Sequence, residues 1–407
     1  MTGFLAALAL QAGYNAALVT IGAALLGLSA GMAGSFLVLR KRALVSDAMA
    51  HATLPGIGVA FLVMVALGGD GRDLPGLLIG SAASALIGLV LVDWIVRRTR
   101  LAEDAAIGAV LSVFFGLGVV LLTVIQSLER GRQAGLEDFL LGATAGMLFQ
   151  DAVLIAAGGL VVVAVILLLR RPMTLVAFDP GHAAAIGVRV ARVDLAMMAL
   201  VMAVTVIGLT LVGLILIVAL LIIPAVTARF WSDRVERMLW IAGAIGGGAG
   251  YLGAALSASA PDLPTGPIIV LIAAGLFVLS LLLAPRRGLL AAILARRRFQ
   301  ARVHWRQGLL SLARAEPIHD PLTLRILRAQ GVIRPDGVAT DKGRALAARS
   351  LRDERRWDLA RAMHQDTALT GRYDGLTPIE TVFTADQIAD FDAALGPPQA
   401  VGGQDGR

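Results

Sequence analysis

Asp47 and His51 stand four residues apart in GSFLVLRKRALVSDAMAHATLPGIGVAFL, the stretch from Gly34 to Leu62. On a helix, at about 100° per residue, that spacing leaves the two side chains only about 40° apart around the axis. A carboxylate oxygen and an imidazole nitrogen then share one face, and both are good donors to a divalent cation. The flanking residues read as the joint between two membrane helices, where an ionisable group costs about 2.5–3.5 kcal/mol on insertion scales. Groups that costly mark a pathway for an ion or a substrate. A plainer reading stands beside this one. Asp47, helped by Ser46, caps the helix that follows, and His51 bonds a carbonyl of a neighbouring helix. Asp-x-x-x-His alone does not choose between them.

The composition says what must position such a pair. Apolar residues make up 57% of the chain and charged residues 16%, and the mean hydropathy is +0.79. These are the proportions of a membrane protein. The net charge of +7 is nearly all arginine. Because the arginines cluster beside the apolar runs, they read as cytoplasmic flanks of spans rather than as a nucleic-acid surface. The absence of cysteine excludes disulfides, thiolate metal sites and cysteine nucleophiles. Any metal ligand is then His, Asp, Glu or a backbone oxygen.

Runs long enough to cross about 30 Å of hydrocarbon occur at Asn15–Leu39, Leu44–Leu67, Leu74–Val96, Asp104–Leu128, Asp151–Leu169, Met238–Leu256 and Pro267–Leu283. The run Leu195–Phe230 is too long for one span and is expected to break near Gly208 or Gly213 into two, giving nine crossings. Only nine crossings put Arg40-Lys41-Arg42, Arg97-Arg98-Arg100, Arg170-Arg171 with Arg189 and Arg192, Arg229 with Arg234 and Arg237, and Arg286-Arg287 on one side; with eight, the last two basic loops face the wrong way. That side is cytoplasmic, with the N-terminus outside and the C-terminus inside. The outer loops are then GGDGRDLPG, ERGRQAGLEDF and SASAPDLPTGP. The first residues lack the basic region of a cleaved signal and read as a short interfacial helix before an uncleaved span. Small residues at Gly27 and Gly31, Gly80 and Ser84, and Gly246 to Gly250 are spaced for close helix packing. Glu103 and Asp104 open the fourth span and read as its caps.

Between the fifth and sixth spans, Asp179, Pro180 and Gly187 supply an N-cap, a first-turn proline and a glycine stop for a short helix on the cytoplasmic face. From Leu289 the composition becomes that of a soluble domain. Pro321–Ala329 reads as a helix, and GVIRPDGVATDKG as two short strands around an Asp-Gly turn. A helix through Arg344–Met363 follows, and Thr384 caps a last one. The expected organisation is a membrane domain 1–288, a basic linker 289–303, a small α/β winged-helix-like domain 304–397 and a disordered tail 398–407.

The blocks GSFLVLRKRALVSDAMAHATLPG, EDAAIGAVLSVFFGLGVVLL, VAFDPGHAAAIGV, VGLILIVALLIIPAVTARF and DLPTGP resemble, in order, the membrane subunit of metal-chelate type ATP-binding-cassette importers. The resemblance implies an all-α polytopic permease of a bacterial plasma (inner) membrane. It further implies a homodimer with a cytoplasmic ATPase and an extracytoplasmic metal-binding protein, carrying Mn2+, Zn2+ or Fe2+. By the same resemblance Asp47 and His51 fall on the polar pair of the pathway. Phe178, Asp179, Pro180, Ala184 and Gly187 fall on the helix that couples to the ATPase. The stretches LRAQGVIRPDGVATDKGRALAARSLRDERRWDLARAM and GLTPIETVFTADQIADFDAALG resemble manganese- and iron-responsive winged-helix repressors. Two departures, a short region before Leu324 and Glu354-Arg355 where a histidine is expected, point to a regulatory or structural role rather than DNA binding.

No GxxxxGK[ST] loop is present, so ATP hydrolysis falls to the partner, and no permanently bound cofactor is expected. Carboxylate and imidazole suit manganese, ferrous iron and zinc alike; the repressor-like tail favours manganese. Two other readings compete with an importer permease. One is a secondary transporter or channel working without ATP, and the other is a membrane-anchored regulator.

Overall fold

Inside hydrocarbon no water is present to satisfy backbone N–H and C=O groups, so each apolar run must close its own hydrogen bonds as a helix. The computed structural model describes residues 2–69, 71, 73–127, 149–260, 263–363 and 371–397. It divides into two units, Met1–Leu290 and Ala291–Arg407. The first unit holds α1 (Thr2–Leu8), α2 (Tyr14–Leu39), α3 (Ala43–Ala66), α4 (Leu74–Arg98), α5 (Glu103–Ser127) and α6 (Phe149–Phe178). It continues through α7 (Pro180–Ala185), α8 (Val190–Val212), α9 (Leu214–Trp231), α10 (Val235–Ser257) and α11 (Thr265–Leu283).

Eight of these helices are long and apolar enough to cross a membrane. The expectation of nine differs by the segment after the break. Chain direction changes at Gly213, whose φ of 76° suits glycine. The piece beyond it, α9, has 18 residues, about 27 Å of helix against about 30 Å of hydrocarbon. At α6 the difference runs the other way. The helix that carries the apolar run Asp151–Leu169 continues through Arg170, Arg171 and Pro172 to Phe178. It therefore projects about 13 Å beyond its apolar part. The expected outer loop ERGRQAGLEDF lies outside the described residues.

The centre of this unit is α2, which packs against α3, α6, α8, α9 and α10 and buries Leu26, Met32 and Phe36. Its approach to α10 is so close that a Cβ on Gly27 would collide with the Gly246 carbonyl, and one on Gly246 with the Gly27 carbonyl. The same relation holds between Gly56 of α3 and Gly80 of α4. Lipid gives apolar helices no reason to leave it for one another, so backbone approach at small residues supplies the packing energy.

The second unit contains α12 (Leu289–Ala313), which begins at the unit boundary, then α13 (Pro321–Ala329), α14 (Asp341–Met363), a 3-10 turn Ile379–Thr381 and α15 (Ala385–Leu395). The basic segment 289–303, expected as a linker, is helical. Trp357, Phe383 and Phe391 form one small core, and Leu309, Leu327 and Val332 another. Thr384 and Gln387 make a reciprocal capping box at the start of α15.

The α/β winged-helix expectation does not hold. Among the described residues this unit has no strand, and the expected hairpin reduces to one antiparallel bridge between Ile333 and Ala339. Pro335 has no N–H to extend a ladder, and Asp341 already opens α14 two residues after the bridge. Residues 398–407, expected as a disordered tail, lie outside the described residues.

The helix contact has a direct test. Gly27→Ala is expected to lower thermal stability in detergent by about 1–3 kcal/mol, the usual cost of overpacking. Gly248→Ala, with open space around its Cβ position, should leave the melting curve unchanged.

Candidate functional site

Because α3 starts at Ala43 with Arg42 at its N-cap, Asp47 sits in the second turn and cannot be the cap. Ser46 donates to the Ala43 carbonyl at 2.7 Å instead. One turn on, His51 Nε2 lies 3.5 Å from Asp47 Oδ1. His51 is 21% exposed and Asp47 43%, so the pair is partly open at the surface of the single chain. The other ring nitrogen, Nδ1, is buried and has no hydrogen-bond partner among the described residues. That removes the carbonyl-bonded alternative for His51. Phe115 of α5 meets the imidazole edge to face, with centroids 5.0 Å apart at 83°.

The separation of the two donors is informative. Ligand atoms at about 2.1 Å from a tetrahedral metal lie about 3.4 Å from each other. Both donors can therefore reach one cation with little movement. One turn further, Pro55 is inside α3 and has no N–H to offer the His51 carbonyl four residues back. That carbonyl oxygen is without its helical donor. Among the described residues no group of three or more His, Asp or Glu side chains gathers to hold a metal. Among the described residues no third carboxylate or imidazole joins the pair to form such a group.

At the start of the same helix is a cluster that the sequence reading did not find. Asp194 of α8 accepts from Arg40 at 2.9 Å and from Arg42 at 2.5 Å, and Arg42 also reaches Glu103 of α5 at 2.6 Å. Arg40 in addition donates to the Val176 carbonyl of α6 at 3.1 Å. The residue between the arginines, Lys41, has φ 58°, a left-handed turn that lets both neighbours face Asp194. Glu103, expected as a cap, is thus an ion-pair partner. These side chains are 17–30% exposed. Pairs that are partly withdrawn from water are screened less than surface ones.

The remaining predicted residues form a second site. Asp179 caps α7 by accepting from the His182 N–H at 2.8 Å, with Pro180 in the first turn. The helix ends in a Schellman arrangement, Val188 N–H to Ala183 C=O at 2.9 Å and Gly187 N–H to Ala184 C=O at 3.0 Å. Gly187 takes φ 87° there. Ala183 is buried, while Phe178 and Ile186 are about 60% exposed, so one side anchors and the other faces out. The structure keeps α7 apart from Asp47 and His51. The route between them is α6 and α8, through Val176 and Asp194, to Arg40 and Arg42.

Removing the shared carboxylate should expose how much this cluster holds. Asp194→Ala takes from Arg40 its carboxylate partner and leaves Arg42 with Glu103 alone, and is expected to cost about 1–3 kcal/mol in a thermal melt, discounted for partial exposure from the value for buried pairs. Asp93→Ala, which breaks the exposed pair with Arg97, should change stability by less than about 0.5 kcal/mol.

Residues 14–284 match the model of the ABC 3 transport family. The manganese transport system membrane protein MntC of Bacillus subtilis is 41% identical over 298 residues, 73% of this chain and 67% of that one. The zinc transport system membrane protein TroC of Treponema pallidum is 39% identical over 69% of this chain and 92% of its own. Among solved structures, PsaBC from Streptococcus pneumoniae in complex with Fab aligns with a TM-score of 0.60 and 28% identity, covering 70% of this chain and 97% of that chain. With the match running from the start of α2 to the end of α11, this chain belongs to the ABC 3 transport family.

Proposed function

We propose that this chain is the permease subunit of an ATP-driven importer for a divalent transition metal, manganese first, zinc or ferrous iron next. It works as a homodimer with a cytoplasmic ATPase and an extracytoplasmic metal-binding protein. The observation that carries the reading is the Asp47–His51 pair, with donors 3.5 Å apart on α3, in a family with relatives named for manganese and zinc transport.

In this reading a cation exchanges water for the Asp47 carboxylate and the Nε2 lone pair of His51. The imidazole must be neutral to accept it, so binding releases any proton held there. Two side chains fall short of the four or more ligands these metals take. Water, or the second copy across a dimer axis, completes the shell. A site so sparsely furnished releases its cargo readily, which suits passage better than storage.

Closure of the ATPases acts on α7, the coupling helix formed around Asp179, Pro180, Ala184 and Gly187. From there the movement reaches α3 through α6, α8 and the arginine cluster, and the spans alternate between the two sides. With α9 counted as the ninth crossing, the basic flanks face the cytoplasm and the C-terminal unit lies inside the cell.

Uptake of radiolabelled manganese, zinc and ferrous iron tests this in cells lacking their own importers and expressing the chain with its ATPase and binding protein. Uptake of one metal should require both partners. It should fall more than about tenfold with His51→Ala at matched membrane levels, exceeding the loss caused by removing many outer-shell partners. Unchanged uptake in the variant overturns the site, and uptake without the partners favours a secondary transporter or channel. Asp179→Arg removes the α7 cap and should leave assembly with the ATPase intact while abolishing its stimulation; normal stimulation would refute the coupling role.

A further inference from the structure

Where α6 leaves its apolar run it passes α10, and the two line an open groove of about 520 Å3. Arg170, Arg171, Thr174 and Leu175 line it from α6, and Arg234 and Glu236 from the start of α10. Arg170 is paired with Glu236. Neither Arg171 nor Arg234 has an ion-pair partner among the described residues. Three guanidinium groups against one carboxylate leave the pocket with two uncompensated positive charges. A permanently charged concavity of this size is an anion site in search of an occupant, and its depth in the membrane says which.

Depth is fixed by the helices. Asp151–Leu169 of α6 is apolar, and Arg170 is the first charged residue after it, at the level where acyl chains give way to headgroups. Immediately on the hydrocarbon side Leu168 is 80% exposed, a surface for an acyl chain. On α10, Trp240 is 51% exposed, one turn after Glu236, the position of an interfacial aromatic. Pro172 has no N–H for the Leu168 carbonyl, which leaves an acceptor for a hydroxylated headgroup. The coupling helix lies about 13 Å further along α6, so the pocket sits above the level at which an ATPase would touch α7.

We propose that this pocket binds the phosphate of an anionic phospholipid, with Arg171 and Arg234 as its free cationic ligands and the Arg170–Glu236 pair shaping its wall. A polyol headgroup such as that of phosphatidylglycerol fits the mixture of arginines, the Thr174 hydroxyl and the freed carbonyl. Basic pockets between spans on the arginine-rich side of a membrane protein are suited to this chemistry.

The test is native mass spectrometry of the full-length purified chain, titrated with phosphatidylglycerol or phosphatidylethanolamine. Phosphatidylglycerol should be retained preferentially, and the double substitution Arg171→Gln, Arg234→Gln should weaken its binding about 30-fold. Arg98→Gln with Arg100→Gln, two exposed arginines outside the pocket, should leave it unchanged. Matching melting curves in phosphatidylethanolamine nanodiscs keep folding out of the comparison. Equal weakening by the two double variants, or equal retention of the two lipids, overturns the proposal. Displacement of the lipid by glycerol 3-phosphate at millimolar concentration overturns it too, by assigning the pocket to a soluble phosphate.

Discussion

The membrane unit depends on how closely α2 can approach its neighbours. In water a helix pair is driven together by burying apolar surface, but lipid is as apolar as leucine, so contact distance decides. Gly27 against Gly246 removes the side-chain layer between α2 and α10 altogether. With α2 held there, α3 packs beside it against α4 through Gly56 and Gly80. The face of α3 that bears Asp47 and His51 is therefore left toward an open surface rather than folded into the core.

The charged residues divide by the same constraint. Asp47 and His51 remain partly open, as the proposed metal pathway requires. Arg40, Arg42, Glu103 and Asp194 neutralise one another at the mouth of α3. A cation following the proposed pathway would otherwise meet two arginines at close range. Engagement of both by Asp194, and of Arg42 by Glu103, lowers that repulsion without removing the basic flank that orients the chain.

Most of the membrane unit was legible in the sequence because length and hydropathy map onto spans directly. So was the i, i+4 geometry of Asp47 and His51, which is local. The α7 caps were legible for the same reason, since Asp179, Pro180 and Gly187 act within one turn. Asp194 was not, because its partners stand about 150 positions earlier and no periodicity links them. The continuation of α6 past its apolar run was not legible, because arginines and a proline look like a stop, whereas a helix end outside the apolar window tolerates both. The C-terminal hairpin was overread. Asp336-Gly337 does turn the chain, but too few residues flank it to build strands on either side.

Gly213 and Asp194 together give α8 the form of a lever. Asp194, near its start, is clamped by two guanidinium groups and would serve as the fulcrum of any tilt. The short arm, about 6 Å, leads back toward α7, and the long arm, about 27 Å, runs to the glycine at which rigid helix ends. A tilt of about 5° about that fulcrum moves the far end by roughly 2 Å, comparable to the one-to-two-ångström helix shifts that switch other assemblies. If α7 couples to an ATPase, a sub-ångström displacement beside it would be magnified along α8, and the helix break at Gly213 is where the rigid arm would end.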